Sequence, residues 1–319
     1  MPTPNKISTH LTNHPHTPII LDGALATYLE SLGADISSSL WSASILLTQP
    51  SLIKRTHLHY YRAGANVAIT ASYQASIPGL CNHLGLEEDE AKGIVRKSVE
   101  LAREARDEYV GELGGGKEGR KSLFVAGSVG PYGAFLADGS EYRGDYVVSK
   151  EDMKNFHRGR IEALIEAGVD ILACETLPSK GEIEALLELL REGFKETEAW
   201  FTFTLRDSEH IADGTPLGKI AALFEHAEQV AGLGFNCVPD DLALAALKNI
   251  SSSTKKALIV YPNSGEQWNA KAREWEGQKT EGSNLAHKTV EWWKAGAVMI
   301  GGCCRTTPDD IRTMNEALQ

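Results

Sequence analysis

Three cysteines toward the C-terminal end of the chain carry the clearest chemical signal in the sequence. Cys237 closes the segment GFNC, and Cys303 and Cys304 stand side by side in GGCCRTTP. Each segment follows a short apolar run, at 231–235 and 297–300, that is typical of a β-strand. Three thiolates at strand ends form the ligand set of an open zinc site, whose fourth position is left for a substrate. The alternative is buried free thiols, since cysteine packs as a small apolar residue, but a cluster of three favours zinc.

The elements that must position these cysteines alternate between short apolar runs and longer amphipathic segments. This β-then-α order predicts a single-domain (β/α)8 TIM barrel. In the competing doubly wound sheet, the first strand would lead into a glycine-rich phosphate turn, which DGALAT is not. Strands are expected at 19–21, 67–70, 123–126, 171–174, 200–204, 233–236, 258–261 and 298–300. Helices are expected at 88–109, 151–167, 181–192, 217–230, 240–249, 283–295 and 308–317.

The N-terminal segment is polar and proline-rich, unlike the rest of the chain. Residues 1–18 are therefore expected to form a flexible arm before a barrel that spans 19–319. The arm has neither the apolar core of a signal peptide nor the arginine-rich pattern of a transit peptide. A glycine- and charge-rich stretch at 111–121 predicts an exposed loop within the barrel.

Composition narrows the partners and the compartment. The net charge of −11 argues against nucleic acid and against an anionic membrane surface. No apolar segment approaches the ~20 residues that a membrane-spanning helix needs. The five cysteines are odd in number, which argues against a disulfide framework and favours a reducing compartment, so the expected location is the cytoplasm.

Polar side chains follow most of the predicted strands, at the end of a barrel where active sites are built. They include Asp22 after the first strand, Gln74 after the second, Ser128 after the third, Glu175 after the fourth and Asn236 at the end of the sixth. Asp22 and Glu175 are candidates to hold the ammonium group of an amino-acid substrate. The alternative is that these two carboxylates cap the helices that follow them.

Other residue types that could bind metals receive structural roles. Cys174 alternates with Glu175 along its strand, so its side chain should face the helix layer. His57 and His59 lie two residues apart in a helical segment, whereas ligands on one helix face lie three or four apart.

Longer segments of the sequence resemble the homocysteine S-methyltransferases, most closely the branch that uses S-methylmethionine as methyl donor. The resemblance runs from residue 20 to residue 317 and includes LDGALAT, SLWSA, ITASYQA, LADGSEYRGDY, ACETLPS, GFNC, YPNSGE and GGCCRTTP. GGCC belongs to every zinc-dependent member of the family, including those that use betaine or methyl-folate. SLWSA, ITASYQA, LADGSEYRGDY and YPNSGE indicate the branch.

The resemblance implies a zinc-dependent TIM-barrel enzyme. It would transfer a methyl group from a sulfonium donor, S-methylmethionine or S-adenosylmethionine, to the thiol of L-homocysteine, giving methionine. One Zn²⁺ per chain would be held by the three cysteines named above. Asp22 and Glu175 would contact the homocysteine ammonium group, Asn236 would adjoin the metal, and Gln74 and Ser128 would line the pocket.

Several alternatives stay open at this point. A barrel hydrolase or lyase could use zinc-bound water with Glu175 as base, although such sites usually have histidine or carboxylate ligands. A purely structural zinc would normally show four protein ligands. Trp41 or Tyr132 is the expected cation–π partner of a sulfonium, unless the ring packs in the rim.

Overall fold

The computed structural model describes residues 6–35, 42–114, 122–269 and 274–319, and its centre is a ring of parallel strands. The strands are β1 Ile19–Ile20, β2 Val67–Ile69, β3 Phe124–Val129, β4 Ile171–Leu177, β5 Ala199–Phe203, β6 Leu205–Asp207, β7 His210–Ile211, β8 Val230–Asn236, β9 Ala257–Tyr261, β10 Gln267–Asn269, β11 Glu274–Glu276 and β12 Ala297–Ile300. The helices are α1 Ile7–Asn13, α2 Leu25–Ser31, α3 Ser42–Thr48, α4 Pro50–Arg62, α5 Ile77–Leu84, α6 Glu88–Glu112, α7 Tyr132–Leu136, α8 Lys150–Glu166, α9 Lys180–Gly193, α10 Leu217–Leu223, α11 Asp240–Ile250, α12 Gly282–Lys294 and α13 Pro308–Ala317.

Eight strands form the ring in the order β1, β12, β9, β8, β5, β4, β3, β2, and all neighbouring pairs are parallel. A single bridge between Leu21 and Val67 joins the two ends of this order. The remaining strands form two small antiparallel hairpins outside the ring, β6 with β7 and β10 with β11. The predicted TIM barrel is therefore confirmed, and the open doubly wound sheet is excluded.

Alternating side chains divide the barrel core into two layers, because successive strand residues point to opposite faces. One layer fills the inside of the ring, and the other lies between the strands and the surrounding helices. Gly234 of β8 shows how tightly the ring is packed, since a Cβ atom there would overlap the carbonyl oxygen of Ile259. The inner layer consists of Ile7, Ile19, Leu21, Val67, Phe124, Ala126, Ile171, Ala173, Trp200, Ile259, Tyr261 and Met299.

The predicted helices are confirmed with one clear error in extent. The helix expected at 217–230 ends at Leu223, and β8 begins at Val230. The sequence predicts one amphipathic helix because its apolar pattern continues through Phe224 and Val230. Phe224, however, packs on Phe201 of β5, and Val230 already belongs to the sheet. At the start of α13, Thr307 forms a capping box with Asp310.

The segment predicted as a flexible arm contains a helix that is part of the fold. Residues 7–13 form α1, and the Ile7 side chain is fully buried in the inner layer of the barrel. The His10 ring meets Phe124 edge-on at 5.6 Å, and the Ser8 amide donates to Glu198 at the start of β5. The arm prediction is thus wrong for α1, because polar composition concealed the one isoleucine that inserts into the ring. The domain boundary at residue 19 remains a prediction.

Two further expectations concern surface and membrane. Within the loop expected at 111–121, α6 continues through Glu112, and residues 115–121 lie outside the described residues. In the described part of the chain, no helix combines the length and the apolar character needed to cross a membrane.

Candidate metal centre and substrate pocket

The three cysteines meet at the C-terminal end of the ring. Cys237 follows β8, Cys303 and Cys304 follow β12, and β9 lies between these strands. Their sulfur atoms all lie within 4.8 Å of one another, and the Cys237 and Cys304 sulfurs are 3.6 Å apart. A Zn–S bond of ~2.3 Å places the sulfurs of a tetrahedral site ~3.8 Å apart. The cluster therefore has the dimensions and the donor type of a three-thiolate metal site.

Backbone hydrogen bonds to the end of β9 set the positions of the cysteines. The Cys237 amide donates to the Tyr261 carbonyl at 3.3 Å, and the Cys303 amide donates to the Pro262 carbonyl at 2.7 Å. Cys237 adopts a left-handed backbone conformation with φ 54°, which is uncommon for a residue with a side chain. Such a conformation persists only where the surrounding contacts impose it.

The cluster has the electrostatics of a cation site. Hydrogen bonds from Cys303 and Cys304 hold the pKa of the Cys237 thiol well below its ordinary value. The hydrogen bonds with Cys237 raise the pKa values of Cys303 and Cys304 well above theirs. Three neighbouring thiols thus favour one thiolate and oppose a second and a third, and a divalent cation at their centre would stabilise all three.

Tyr142 is a neighbour of the cluster that the sequence analysis missed. Its hydroxyl lies 3.3 Å from the Cys237 sulfur, at the end of a short 3-10 helix, Ser140–Tyr142. Burial raises the pKa of Tyr142 well above its ordinary value, so the phenol keeps its proton and can donate to a thiolate. Its segment, LADGSEYRGDY, was recognised only as part of the family resemblance.

The two candidate carboxylates face the same pocket as the cysteines. Glu175 accepts hydrogen bonds from the Ser128 hydroxyl and from the Tyr261 hydroxyl, the latter at 3.1 Å. Asp22 accepts the Ile69 amide at 2.9 Å. Burial raises the pKa of Glu175 to about 7 and that of Asp22 well above its ordinary range. Both groups are therefore placed to gain from an ammonium partner.

The strand ends differ from the prediction at two of these residues. Ser128 lies within β3 and Glu175 within β4, rather than after the strands. The two strands are neighbours in the ring, and the Ser128 hydroxyl donates to the Glu175 carboxylate between them, so both polar side chains are accommodated within the sheet. Tyr261, at the end of β9, received no role from sequence. Its hydroxyl also accepts from the Trp200 indole at 3.2 Å and lies 2.7 Å from the Thr202 hydroxyl, so the core fixes Glu175.

The remaining predicted pocket residues also line the cavity. Asn236 uses its side chain to hold Thr176, bonding the Thr176 amide and hydroxyl at 2.8 Å each. Thr176 has φ 59°, so this pair stabilises a second left-handed residue at the rim. Gln74 is 7% exposed, and its Oε1 atom has no hydrogen-bond partner in the described structure. The contacts of Gln74 and Asn236 with a substrate remain predictions.

Other candidate residues lie away from the pocket. His57 is fully buried in α4, and His59 pairs with the Tyr28 hydroxyl at 2.8 Å, as their structural assignment requires. Cys174 is buried between strands and helices, as predicted. The Tyr132 ring packs among aromatic neighbours and does not line the cavity. Trp41 lies outside the described residues.

Comparison with known proteins identifies the family. The model of the family described as homocysteine S-methyltransferase matches residues 19–318. The chain belongs to the homocysteine S-methyltransferase family. It is 52% identical over 296 residues to the Escherichia coli homocysteine S-methyltransferase, covering 93% of this chain and 94% of that relative. It is 47% identical to a homocysteine S-methyltransferase of Bacillus subtilis, with 92% of each chain covered.

Solved structures agree with this assignment. The metallated form of the E. coli homocysteine methyltransferase MmuM superimposes with a TM-score of 0.86 at 49% identity, covering 97% of this chain and 99% of that one. A methyltransferase from Methanosarcina mazei, 10% identical with a TM-score of 0.56, shares the fold alone. As a member of the homocysteine S-methyltransferase family, the chain carries its three-cysteine cluster in a pocket lined by acidic residues. Among the described lining residues are three carboxylates and no lysine, arginine or histidine.

Proposed function

We propose that this enzyme transfers a methyl group from S-methylmethionine to the thiol of L-homocysteine, giving methionine, with one Zn²⁺ per chain. The observation that supports this most directly is the three-sulfur cluster of Cys237, Cys303 and Cys304, which opens onto the pocket lined by Asp22 and Glu175. This arrangement matches a substrate that carries a thiol at one end and an ammonium group at the other.

The metal and the protein would have separate tasks. Zn²⁺, when bound, would keep the homocysteine sulfur as a thiolate at neutral pH. The Tyr142 hydroxyl, 3.3 Å from the Cys237 sulfur, would donate a hydrogen bond to the metal-bound thiolate and so fix one ligand. The lining has acidic side chains and, among the described residues, no basic ones, which favours a cationic donor over an anionic folate. A sulfonium donor leaves as a neutral thioether, so the pocket needs no general acid, and the described lining offers no histidine or lysine for that task.

Asp22 and Glu175 would hold the homocysteine ammonium group in ground state and transition state alike. An ammonium partner would return the pKa of Glu175 toward its ordinary value, because the pairing favours the ionised carboxylate. Ser128 and Tyr261 orient the Glu175 carboxylate through its two oxygens. Gln74 would line the pocket and present its unpaired Oε1 as a hydrogen-bond acceptor to a substrate. Asn236 would stabilise the rim beside the metal through its two hydrogen bonds to Thr176.

The partners of this reaction are small molecules only. All five cysteines are free thiols, and the proposed chemistry requires three of them to stay reduced. We therefore place the enzyme in a reducing compartment, the cytoplasm.

Three measurements on the purified protein test this proposal. Metal analysis should find about one zinc per chain, and X-ray absorption should show a fourth sulfur ligand once homocysteine is added. Values of kcat/KM with homocysteine should rank S-methylmethionine above S-adenosylmethionine, with betaine and methyl-folate inactive.

The same measurements separate the alternatives. A zinc environment that does not respond to homocysteine would indicate a structural metal. Donor hydrolysis in the absence of homocysteine would indicate a hydrolase. A clear advantage for betaine would overturn the choice of donor, since betaine is also cationic and its exclusion depends on segments such as YPNSGE.

A further inference from the structure

A third carboxylate in the pocket has no role in the account above. Glu141 lines the cavity together with Asp22 and Glu175, yet its side chain lies in the long connection after β3. Glu141 is 7% exposed, and its Oε2 atom is buried without a hydrogen-bond partner among the described residues. A buried carboxylate oxygen without a donor is unfavourable, so its retention in the pocket calls for a ligand that supplies one.

The backbone holds Glu141 in place on both sides. The Ser140 amide donates to Asp138 at 2.9 Å, and Tyr142 is anchored beside Cys237. Gly133 of α7 packs so closely that a Cβ atom there would overlap the Glu141 amide nitrogen. The carboxylate therefore projects from a fixed turn, unlike a flexible surface side chain.

Among the described residues that line the pocket with Glu141, there is no lysine, arginine or histidine. Tyr73, whose pKa is raised by burial, lines the same pocket as Glu141. Gln74, the next residue, carries the other unpartnered acceptor in the pocket. Arg143 is half exposed and pairs with Asp145 at 2.9 Å. Two buried acceptors without donors suit a ligand group with several N–H bonds, and an ammonium group has three.

We propose that Glu141, with Gln74 as a second acceptor, binds the ammonium group of the methyl donor. This inference builds on the proposed function, in which Asp22 and Glu175 already hold the homocysteine ammonium group. A donor that is itself an amino acid brings a second ammonium group into the pocket. Tyr142 sets Glu141 beside the cysteine cluster, next to which the donor sulfur must lie for methyl transfer. Glu141 thereby selects sulfonium amino acids over cations that have no N–H groups, betaine included.

The test compares donors with and without an ammonium group on the zinc-loaded enzyme. Titration calorimetry should show that Glu141→Gln weakens S-methylmethionine binding by about tenfold or more, the usual size of a lost hydrogen bond to a charged group. Binding of trimethylsulfonium, which has no ammonium group, should be the same in both proteins. In turnover, the KM for S-methylmethionine should rise while the KM for homocysteine stays within about twofold. Asp145→Asn, an exposed carboxylate of the same connection, serves as the matched control and should change none of these values.

Several outcomes would overturn the proposal. The first is an unchanged affinity of Glu141→Gln for S-methylmethionine. The second is an equal loss of affinity for trimethylsulfonium, and the third is a rise in the KM of homocysteine as large as that of the donor. Gln74→Leu, measured in the same titration, provides a second variant if Glu141→Gln does not fold, and it should weaken S-methylmethionine binding selectively. An enzyme that makes no methionine from S-methylmethionine would refute the proposed function, whereas the calorimetric comparison would still decide the role of Glu141.

Discussion

The two ends of the barrel are built from the same eight strands but by opposite rules. At the N-terminal end, α1 closes the ring with the fully buried Ile7, and the polar Ser8 is bonded to Glu198. At the C-terminal end, carboxylates such as Glu175 and Glu141 are buried beside thiols, and some of their neighbours lack hydrogen-bond partners. One end stabilises the fold by removing apolar surface from water, while the other keeps unfavourable groups in place for ligands.

The largest effect should come from removing a sulfur at the C-terminal end. Cys304→Ala leaves two thiolates, too few for the metal site, so turnover should fall by roughly a thousandfold or more and zinc should be lost. The melting temperature of the metal-free barrel should change little, because Cys304 is only partly buried. Metal analysis and a methionine assay measure this, with Cys81→Ala as the control thiol. Full zinc and full turnover in Cys304→Ala would exclude the assigned ligand set.

A change at the opposite end should affect stability without affecting chemistry. Ile7→Ala leaves a cavity in the inner layer, so the free energy of unfolding should fall by about 2–4 kcal/mol. The KM values of both substrates should stay as they are, since α1 and the pocket are at opposite ends of the ring. Urea denaturation and steady-state kinetics measure the two effects. Leu11→Ala, in the same helix but less buried, should be milder. An altered homocysteine KM in Ile7→Ala would show that the two ends are coupled.

The smallest of the three effects should come from neutralising one carboxylate. Glu175→Gln should raise the homocysteine KM by about tenfold and leave kcat nearly unchanged, because the ammonium contact exists in both ground and transition states. The KM for S-methylmethionine serves as the internal control. A loss confined to kcat would instead point to Glu175 as an acid or base.

The same variant gives a pH test. Since the pKa of Glu175 is about 7, inhibition by an amino acid that lacks the thiol should strengthen as pH rises through about 7. Glu175→Gln should lose this dependence. For folding the sign is opposite: the raised pKa means that stability from protonated Glu175 is present below its ordinary pKa and is lost as pH rises through about 7. A pH-independent inhibition constant in the parent enzyme would contradict the assignment.

The sequence predicted the barrel because its eight apolar runs and intervening amphipathic segments are strongly periodic. It also identified the cysteine cluster, since thiols next to glycines at strand ends are chemically distinctive. Ser128 and Glu175 line the pocket, but the sequence placed them after their strands, because a polar residue normally ends an apolar run. In this barrel the two side chains satisfy each other inside the ring, and their strands continue.

Contacts between distant parts of the chain could not be predicted in this way. Tyr142 approaches Cys237 across 95 residues of sequence, and Tyr261 bonds Glu175 across 86. Ile7 inserts into the ring from a segment whose composition is otherwise that of a loop. Each of these depends on the closed geometry of the barrel, which local patterns of hydrophobicity do not contain.

The single bridge between Leu21 and Val67 makes the closure between β1 and β2 the thinnest seam of the ring. Asp22 reinforces that seam, because its carboxylate accepts the Ile69 amide. The Asp22 carboxylate, which is proposed to hold homocysteine, therefore also stabilises the closure of the barrel between β1 and β2. Ligand binding and local opening between β1 and β2 are therefore thermodynamically coupled. The rate at which the Ile69 amide hydrogen exchanges with solvent would show whether the pocket is filled.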